Sequence, residues 1–242
     1  MEAMAETETL PPFHKPRTPF DWQRSPARAA VGRAGRESLL AAGAERLPVD
    51  KAEIYRLDHF LDPTDCAALV ALIDAGCTPS PLHIAHRYEG YRTSQTCTLA
   101  AADPTASKAA ARIAALLSID PLCAEPLQGQ VYQAGEYYRM HADFYYIDEA
   151  YWPGVDAMGG QRTWTAMIYL DVPPGGGATR FPYLDLEFEP RVGRLLAWNN
   201  MDEHGAPNSW TIHQGCTVDA GVKHIITQWY RERPFGTPPG QG

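Results

Sequence analysis

The stretch LQGQVYQAGEYYRMHADFY, residues 127–145, holds two runs of β-forming residues, 128–133 and 136–145, on either side of the turn residue Gly135. The texture recurs from Pro126 onward. Segments 162–172, 186–189, 193–198, 209–213 and 222–231 are short, rich in aromatic and β-branched residues, and separated by Gly, Pro, Asn or Asp. Many short strands with no helical period between them predict a sandwich or barrel.

Toward the N-terminus the pattern is helical. SPARAAVGRAGRESLLAAGAER predicts a helix from Ser25 to about Arg46, opened by Ser25 ahead of Pro26, weakened by Gly32 and Gly35, and broken by Pro48. EIYRLDHFL (53–61) alternates like a strand. DPTDCAALVALIDAG (62–76) predicts a helix capped by Asp62, begun by Pro63 and stopped at Gly76, with an apolar stripe of Cys66, Leu69, Val70 and Ile73 for packing on a sheet. Residues 77–98 read as irregular, and Asp103–Leu117 as a second Ala-rich helix opened by Asp-Pro. Residues 1–24, with four prolines among charges, read as an extended arm. The expected organisation is α+β: residues 1–50 as N-terminal arm and helix, and 51–242 as a single domain with its β core at about 128–233.

Composition narrows the function. The 242 residues are 45% hydrophobic, enough for a full core, and carry a formal charge of −8, which repels phosphate backbones and argues against nucleic-acid binding. No window approaches the roughly 20 apolar residues of a membrane span. The start, MEAMAETETLPPF, lacks the layout of a signal peptide. Cys66, Cys77, Cys97, Cys123 and Cys216 form no CxxC pair and read as reduced core thiols, so the expected location is cytoplasmic.

The chemistry sits in the β region. His141 and Asp143 are two apart in a predicted strand and share a face. His213 lies near the end of another. Two His and one carboxylate with open positions suit non-haem Fe(II), although His-x-Asp alone is also a common surface pair. Ten residues after His213, Lys223 shares one strand face with Ile225, Thr227 and Trp229 in VKHIITQWYRE. An inward ammonium needs an anionic partner. Fe(II) with Asp143 and two neutral His retains one positive charge, which the 1-carboxylate of a chelating 2-oxo acid neutralises. 2-Oxoglutarate is one such acid whose distal carboxylate could then pair with Lys223. Three protein ligands and a bidentate 2-oxo acid fill five octahedral positions and leave one for O2.

QVYQAGEYYRMHADF (130–144), GGQRTWTAMIYLDV (159–172), GGATRFP (176–182), PRVGRLLAW (190–198) and the His213 and Lys223 segments together resemble the prolyl 4-hydroxylase-like 2-oxoglutarate/Fe(II) dioxygenases, and YRTS (91–94) resembles a segment upstream of that core. The resemblance implies a double-stranded β-helix (jelly-roll) core with N-terminal supporting helices. It implies His141, Asp143 and His213 as iron ligands, with Lys223, Tyr132 and Thr179 binding the cosubstrate. Tyr138, Arg162 and Trp229 fall where relatives line the substrate side. As residues alone, Tyr132, Tyr138 and Trp229 also read as core aromatics, Thr179 as a turn residue and Arg162 as a partner of a surface carboxylate. The implied activity is hydroxylation of an unactivated carbon, foremost of a prolyl residue in a peptide or protein. 2-Oxoglutarate gives succinate and CO2, and ascorbate is the expected reductant. A free amino acid or small metabolite is the alternative substrate; a non-catalytic module and a cupin-like hydrolase or isomerase are the other classes. The segment 144–160, long and aromatic, reads as a mobile cover or a fixed surface loop. Ala178, where the family often has an acid, and Arg231, two places beyond Trp229, depart from the pattern. His224 faces away from Lys223, His204 lies in a turn, and His14, His59, His83 and His86 have no partner at metal spacing.

Overall fold

Three helices begin where a capping side chain precedes a proline, since the side chain takes an orphan N–H and proline's fixed φ suits the first turn. Each cap contributes about 1 kcal/mol. The computed structural model describes residues 23–79 and 91–236. In it Ser25 caps α1 (Pro26–Ala41), Asp62 caps α2 (Pro63–Gly76) and Asp103 caps α3 (Pro104–Leu117). The expected arm falls almost wholly outside the described residues, as do positions 80–90 of the stretch read as irregular and His14, His83 and His86.

The strands are β1 (Glu45–Arg46), β2 (Ile54–Leu57), β3 (Thr78–Pro79), β4 (Gln95–Thr98), β5 (Gln128–Gln133), β6 (Tyr138–His141), β7 (Arg162–Tyr169), β8 (Gly175–Gly176), β9 (Thr179–Phe181), β10 (Leu186–Phe188), β11 (Leu195–Asn199), β12 (His213–Gly215), β13 (Val218–Ala220) and β14 (Val222–Arg231). They form an eight-stranded sheet, β1-β2-β11-β7-β14-β5-β4-β3, a four-stranded sheet, β10-β9-β12-β6, and a small β13-β8 pair. All pairings are antiparallel.

Period-two alternation in the large sheet sorts side chains into two cores. Trp164, Ala166 and Ile168 of β7, Leu195 and Ala197 of β11, and Ile226 and Tyr230 of β14 pack with Leu39 of α1, Leu69 and Ile73 of α2, and Ile113 of α3. Their neighbours Met167, Tyr169, Leu196, Trp198, Ile225 and Tyr132 turn the other way, onto Phe181 and Phe188 of the smaller sheet. Truncating one of the large aliphatic or aromatic side chains among them to alanine costs about 2–5 kcal/mol. The helices fill one face, and the second face is left for the cavity between the sheets.

Several local expectations are corrected by packing. Gly32 and Gly35 are contact points: a Cβ on Gly35 would lie 2.8 Å from the Trp164 indole, and one on Gly32 2.7 Å from the Asn199 amide. The first helix ends at Ala41, and the alternating 53–61 segment is a strand only over Ile54–Leu57. Asp58 beyond it is held by the buried Arg194 at 2.5 and 3.0 Å. The stretch from residue 77 supplies β3 and β4, because the edge of β5 offers unpaired backbone that β4 takes in register, Gln95 opposite Val131. Segment 209–213 is a 3-10 turn, Ser209–Thr211, because the Asn208 side chain accepts the Trp210 N–H, and β12 begins at His213. Segment 144–160 contains a short helix, α4 (Trp152–Ala157).

Candidate metal and cosubstrate site

The two histidines meet because β12 pairs with β6 so that His213 stands directly opposite His141. Their ring centroids are 4.2 Å apart. β6 ends at His141, so Asp143 is outside the strand, and the turn through Ala142 brings its carboxylate back. Strand alternation therefore did not produce the pair as expected, yet the convergence holds. His141 Nε2 lies 3.9 Å from Asp143 Oδ1, and His213 Nε2 3.8 Å from Oδ2. One donor atom from each of the three residues lies within 4.8 Å of the others.

Backbone carbonyls fix both tautomers. His141 Nδ1 donates to the Arg139 carbonyl at 2.8 Å, and His213 Nδ1 to that of Thr211 at 3.0 Å. A carbonyl only accepts, so the protons sit on Nδ1 and the lone pairs on Nε2 face Asp143. Thr165 Oγ1 donates to Asp143 Oδ2 at 2.7 Å.

The cavity floor continues from these residues to Lys223, which is 1% exposed. Its Nζ donates to the Gly177 carbonyl at 3.0 Å and lies 4.2 Å above the Tyr132 ring. Among the described residues no carboxylate forms an ion pair with it, and burial lowers its pKa to about 8. Tyr132 donates to Gln130 Oε1 at 2.9 Å, and the Gln130 amide donates to Thr227 at 3.0 Å. Thr179, from β9, receives the Tyr169 hydroxyl at 2.6 Å. Gln130 and Thr165 were not singled out from the sequence, and Thr227 was named only as sharing the Lys223 strand face. Strand alternation carries their signal, since Gln130 and Thr227 share faces with Tyr132 and Lys223.

On the open side, Tyr138 stacks on His141 with ring centroids 3.6 Å apart, and burial pushes its hydroxyl pKa to about 12. Trp229 lines the same cavity, and its indole N–H is buried without a hydrogen-bond partner among the described residues. Arg162 stands one layer back. Its carboxylate partner is buried, not a surface one: Glu125 takes it bidentately at 2.5 and 2.7 Å, and the guanidinium lies 4.1 Å over Trp229. Arg231 joins this cluster, with Nε 2.6 Å from the same carboxylate. Burial opposes ionisation of Glu125, but the two arginines outweigh it and hold its pKa below the ordinary value.

The other histidines among the described residues stay apart from the cluster. His204 and His59 are exposed. His224 is buried on the opposite face of β14, with Nδ1 2.5 Å from Asp171 and Nε2 3.0 Å from Asp74. Burial lowers its pKa, but the hydrogen bonds and charges of those aspartates prevail and raise it above 6.5. The 144–160 segment is tied at its base, where Gln161 exchanges two hydrogen bonds with the Tyr145 backbone at 2.9 and 2.6 Å, and Arg233 holds Asp156 at 2.6 Å.

Two histidines and a carboxylate on a β framework, beside a buried lysine, are a donor set that could hold a single metal ion and leave positions for a chelating acid. A family profile described as the 2OG-Fe(II) oxygenase superfamily matches residues 127–231. Prolyl 4-hydroxylase subunit alpha-1 of Rattus norvegicus is 28% identical over 222 residues, 89% of this chain and 41% of that protein. A putative prolyl 4-hydroxylase of Acanthamoeba polyphaga mimivirus is 26% identical over 182 residues, 75% of each chain. The crystal structure of a viral collagen prolyl hydroxylase from Paramecium Bursaria Chlorella virus-1, in complex with 2OG, superposes with a TM-score of 0.58 at 26% identity, covering 74% of this chain and 95% of that one. Over residues 127–231 the chain matches the 2OG-Fe(II) oxygenase superfamily, and in sequence and fold it is similar to prolyl 4-hydroxylases. It spans about two fifths of the length of the rat and mouse alpha-1 subunits. Its residues fit the family's Fe(II) and 2-oxoglutarate: the imidazole lone pairs converge with a carboxylate, and Lys223 is a buried ammonium suited to a distal carboxylate. No helix among the described residues is long and apolar enough to cross a membrane.

Proposed function

We propose that this protein is an Fe(II)- and 2-oxoglutarate-dependent dioxygenase that hydroxylates a prolyl residue in a peptide or protein. The observation carrying the proposal is the convergence of His141, Asp143 and His213 in one cavity with the buried Lys223. In this reading those three residues hold Fe(II), and Lys223 pairs with the distal carboxylate of 2-oxoglutarate, helped by the hydroxyls of Tyr132 and Thr179. Bound Fe(II) and 2-oxoglutarate supply the oxidation with O2, giving succinate and CO2, and ascorbate keeps the metal reduced.

The chain's own contribution is position and charge. Carbonyls of Arg139 and Thr211 keep the imidazoles in the ligating tautomer. Tyr138 and Trp229 wall the substrate side, and the unpaired Trp229 N–H offers a donor to a peptide carbonyl. Arg162, locked by Glu125, fixes the plane of Trp229 from behind. The catalytic unit spans 51–242 with its β core at 128–233, and α1, α2 and α3 support the large sheet. Five free thiols agree with a cytoplasmic location.

The substrate claim is tested by incubation with Fe(II), ascorbate and 2-oxoglutarate, comparing a proline-rich peptide, free proline and no substrate. Succinate release coupled to one added oxygen on a peptide prolyl residue is the expected result. Oxidation of free proline alone would replace the peptide with a small molecule, and absence of turnover with iron bound would favour a non-catalytic module.

A further inference from the structure

Asp143 lies beyond the end of β6, so no strand pairing fixes its side chain. What fixes it comes from the large sheet. Thr165 of β7 and Asn200, immediately after β11, are both 0% exposed and stand in line behind the carboxylate. Asn200 Nδ2 donates to Thr165 Oγ1 at 2.9 Å, and Thr165 Oγ1 donates to Asp143 Oδ2 at 2.7 Å. The backbone of Asn200 is itself held, its N–H by the Thr163 carbonyl at 2.8 Å and its carbonyl by the Asn208 N–H at 2.9 Å.

The polarity of this chain is dictated. A metal-ligating carboxylate only accepts, so the single hydroxyl proton of Thr165 goes to Asp143, and Thr165 must accept from the amide. Reversing the Asn200 amide would set two acceptors against each other. The arrangement leaves Asn200 Oδ1 buried without a hydrogen-bond partner among the described residues, a cost that calls for an explanation.

We propose that Thr165, oriented by Asn200, is a positioning residue for the metal: by holding Oδ2 it sets the rotation of the Asp143 carboxylate, with Oδ1 3.9 Å from His141 Nε2 and Oδ2 3.8 Å from His213 Nε2. The inference rests on reading these three residues as the Fe(II) site. Loss of an outer hydrogen-bond partner weakens metal binding by about 10–100-fold in comparable sites.

The test compares Thr165→Val, which keeps shape and β-branching, with Thr165→Ser, which keeps the hydroxyl, and with Asn200→Ala alone and combined with Thr165→Val. Co(II) is titrated into each full-length protein and followed by its visible ligand-field spectrum, with the thermal midpoint and the 2-oxoglutarate KM measured alongside. Thr165→Val should weaken Co(II) binding about 10–100-fold and perturb the spectrum, while Thr165→Ser stays near wild type. Asn200→Ala should weaken binding in the same direction and add little to Thr165→Val, because both act through one hydrogen bond. Wild-type affinity in folded Thr165→Val overturns the proposal. If Thr165→Val does not fold, wild-type affinity in Asn200→Ala overturns it instead. A wild-type protein that binds no Co(II) overturns the metal-site reading as well, which separates the two failures.

Discussion

Replacing Lys223 by methionine should strengthen the cosubstrate-free protein while removing its hold on 2-oxoglutarate. Burial lowers the lysine pKa from its ordinary 10.5 to about 8, and the ammonium is 1% exposed. Below pH 8 the side chain is charged in both the folded and unfolded states, and the folded state bears the full penalty, about 3 kcal/mol at 1.36 kcal/mol per tenfold. Between pH 8 and 10.5 the unfolded chain binds the extra proton, so the penalty is relieved as pH rises and is gone above 10.5. Methionine removes the penalty at pH 7 but orphans the Gly177 carbonyl, which costs about 1 kcal/mol. The net gain is about 2 kcal/mol, or roughly 4–8 °C for a chain of this size. Binding moves oppositely. A distal carboxylate left without its cation in a buried pocket loses about 3–5 kcal/mol, a weakening of roughly 10²–10⁴-fold. Thermal melts of the Mn(II)-loaded protein with and without 2-oxoglutarate read both effects. Wild type should be stabilised by the cosubstrate, and K223M should melt higher without it and gain nothing from it. A variant that melts lower, or still responds to 2-oxoglutarate, would refute the assignment of Lys223.

His224, with its pKa raised by Asp171 and Asp74, contributes stability fully present below pH 6.5 and lost as pH rises through its folded value. His224→Gln should therefore lower the unfolding free energy by about 1–3 kcal/mol at pH 6 and by less at pH 9, as urea melts at the two pH values would show. Gly35→Ala should destabilise by about 1–2 kcal/mol, because the new methyl meets the Trp164 indole at 2.8 Å, whereas the same change on an exposed helix face stabilises. Calorimetry giving a higher melting temperature would contradict that contact.

The elements most legible in the sequence were those with local causes. Asp62-Pro63 and Asp103-Pro104 set helix starts that the structure reproduces, and β5 and β14 run over the residues that β-propensity marked. The one-faced row Lys223, Ile225, Thr227, Trp229 lines the cavity as alternation required. Features with non-local causes were not legible. β4 is a strand because β5 has an edge to fill, and β8, β9 and β13 are too short to carry a pattern. Asp143 converges with His141 through a turn, not a strand. Gly35 reads as a weak point until Trp164 is seen against it. Arg162 looks equally solvent-facing or substrate-facing until Glu125, 37 residues earlier, is found to hold it. Asn200 and Thr165 carry no motif, and only their hydrogen bonds single them out.

The most direct test of the account is anaerobic titration of Fe(II) into the protein with 2-oxoglutarate present, followed by the visible metal-to-ligand charge-transfer absorption of the chelate. The account predicts one iron per chain and a band in the wild type, and loss of both in a His213→Ala variant that remains folded by circular dichroism. An unchanged band in folded His213→Ala would contradict the central claim that His141, Asp143 and His213 together hold the iron.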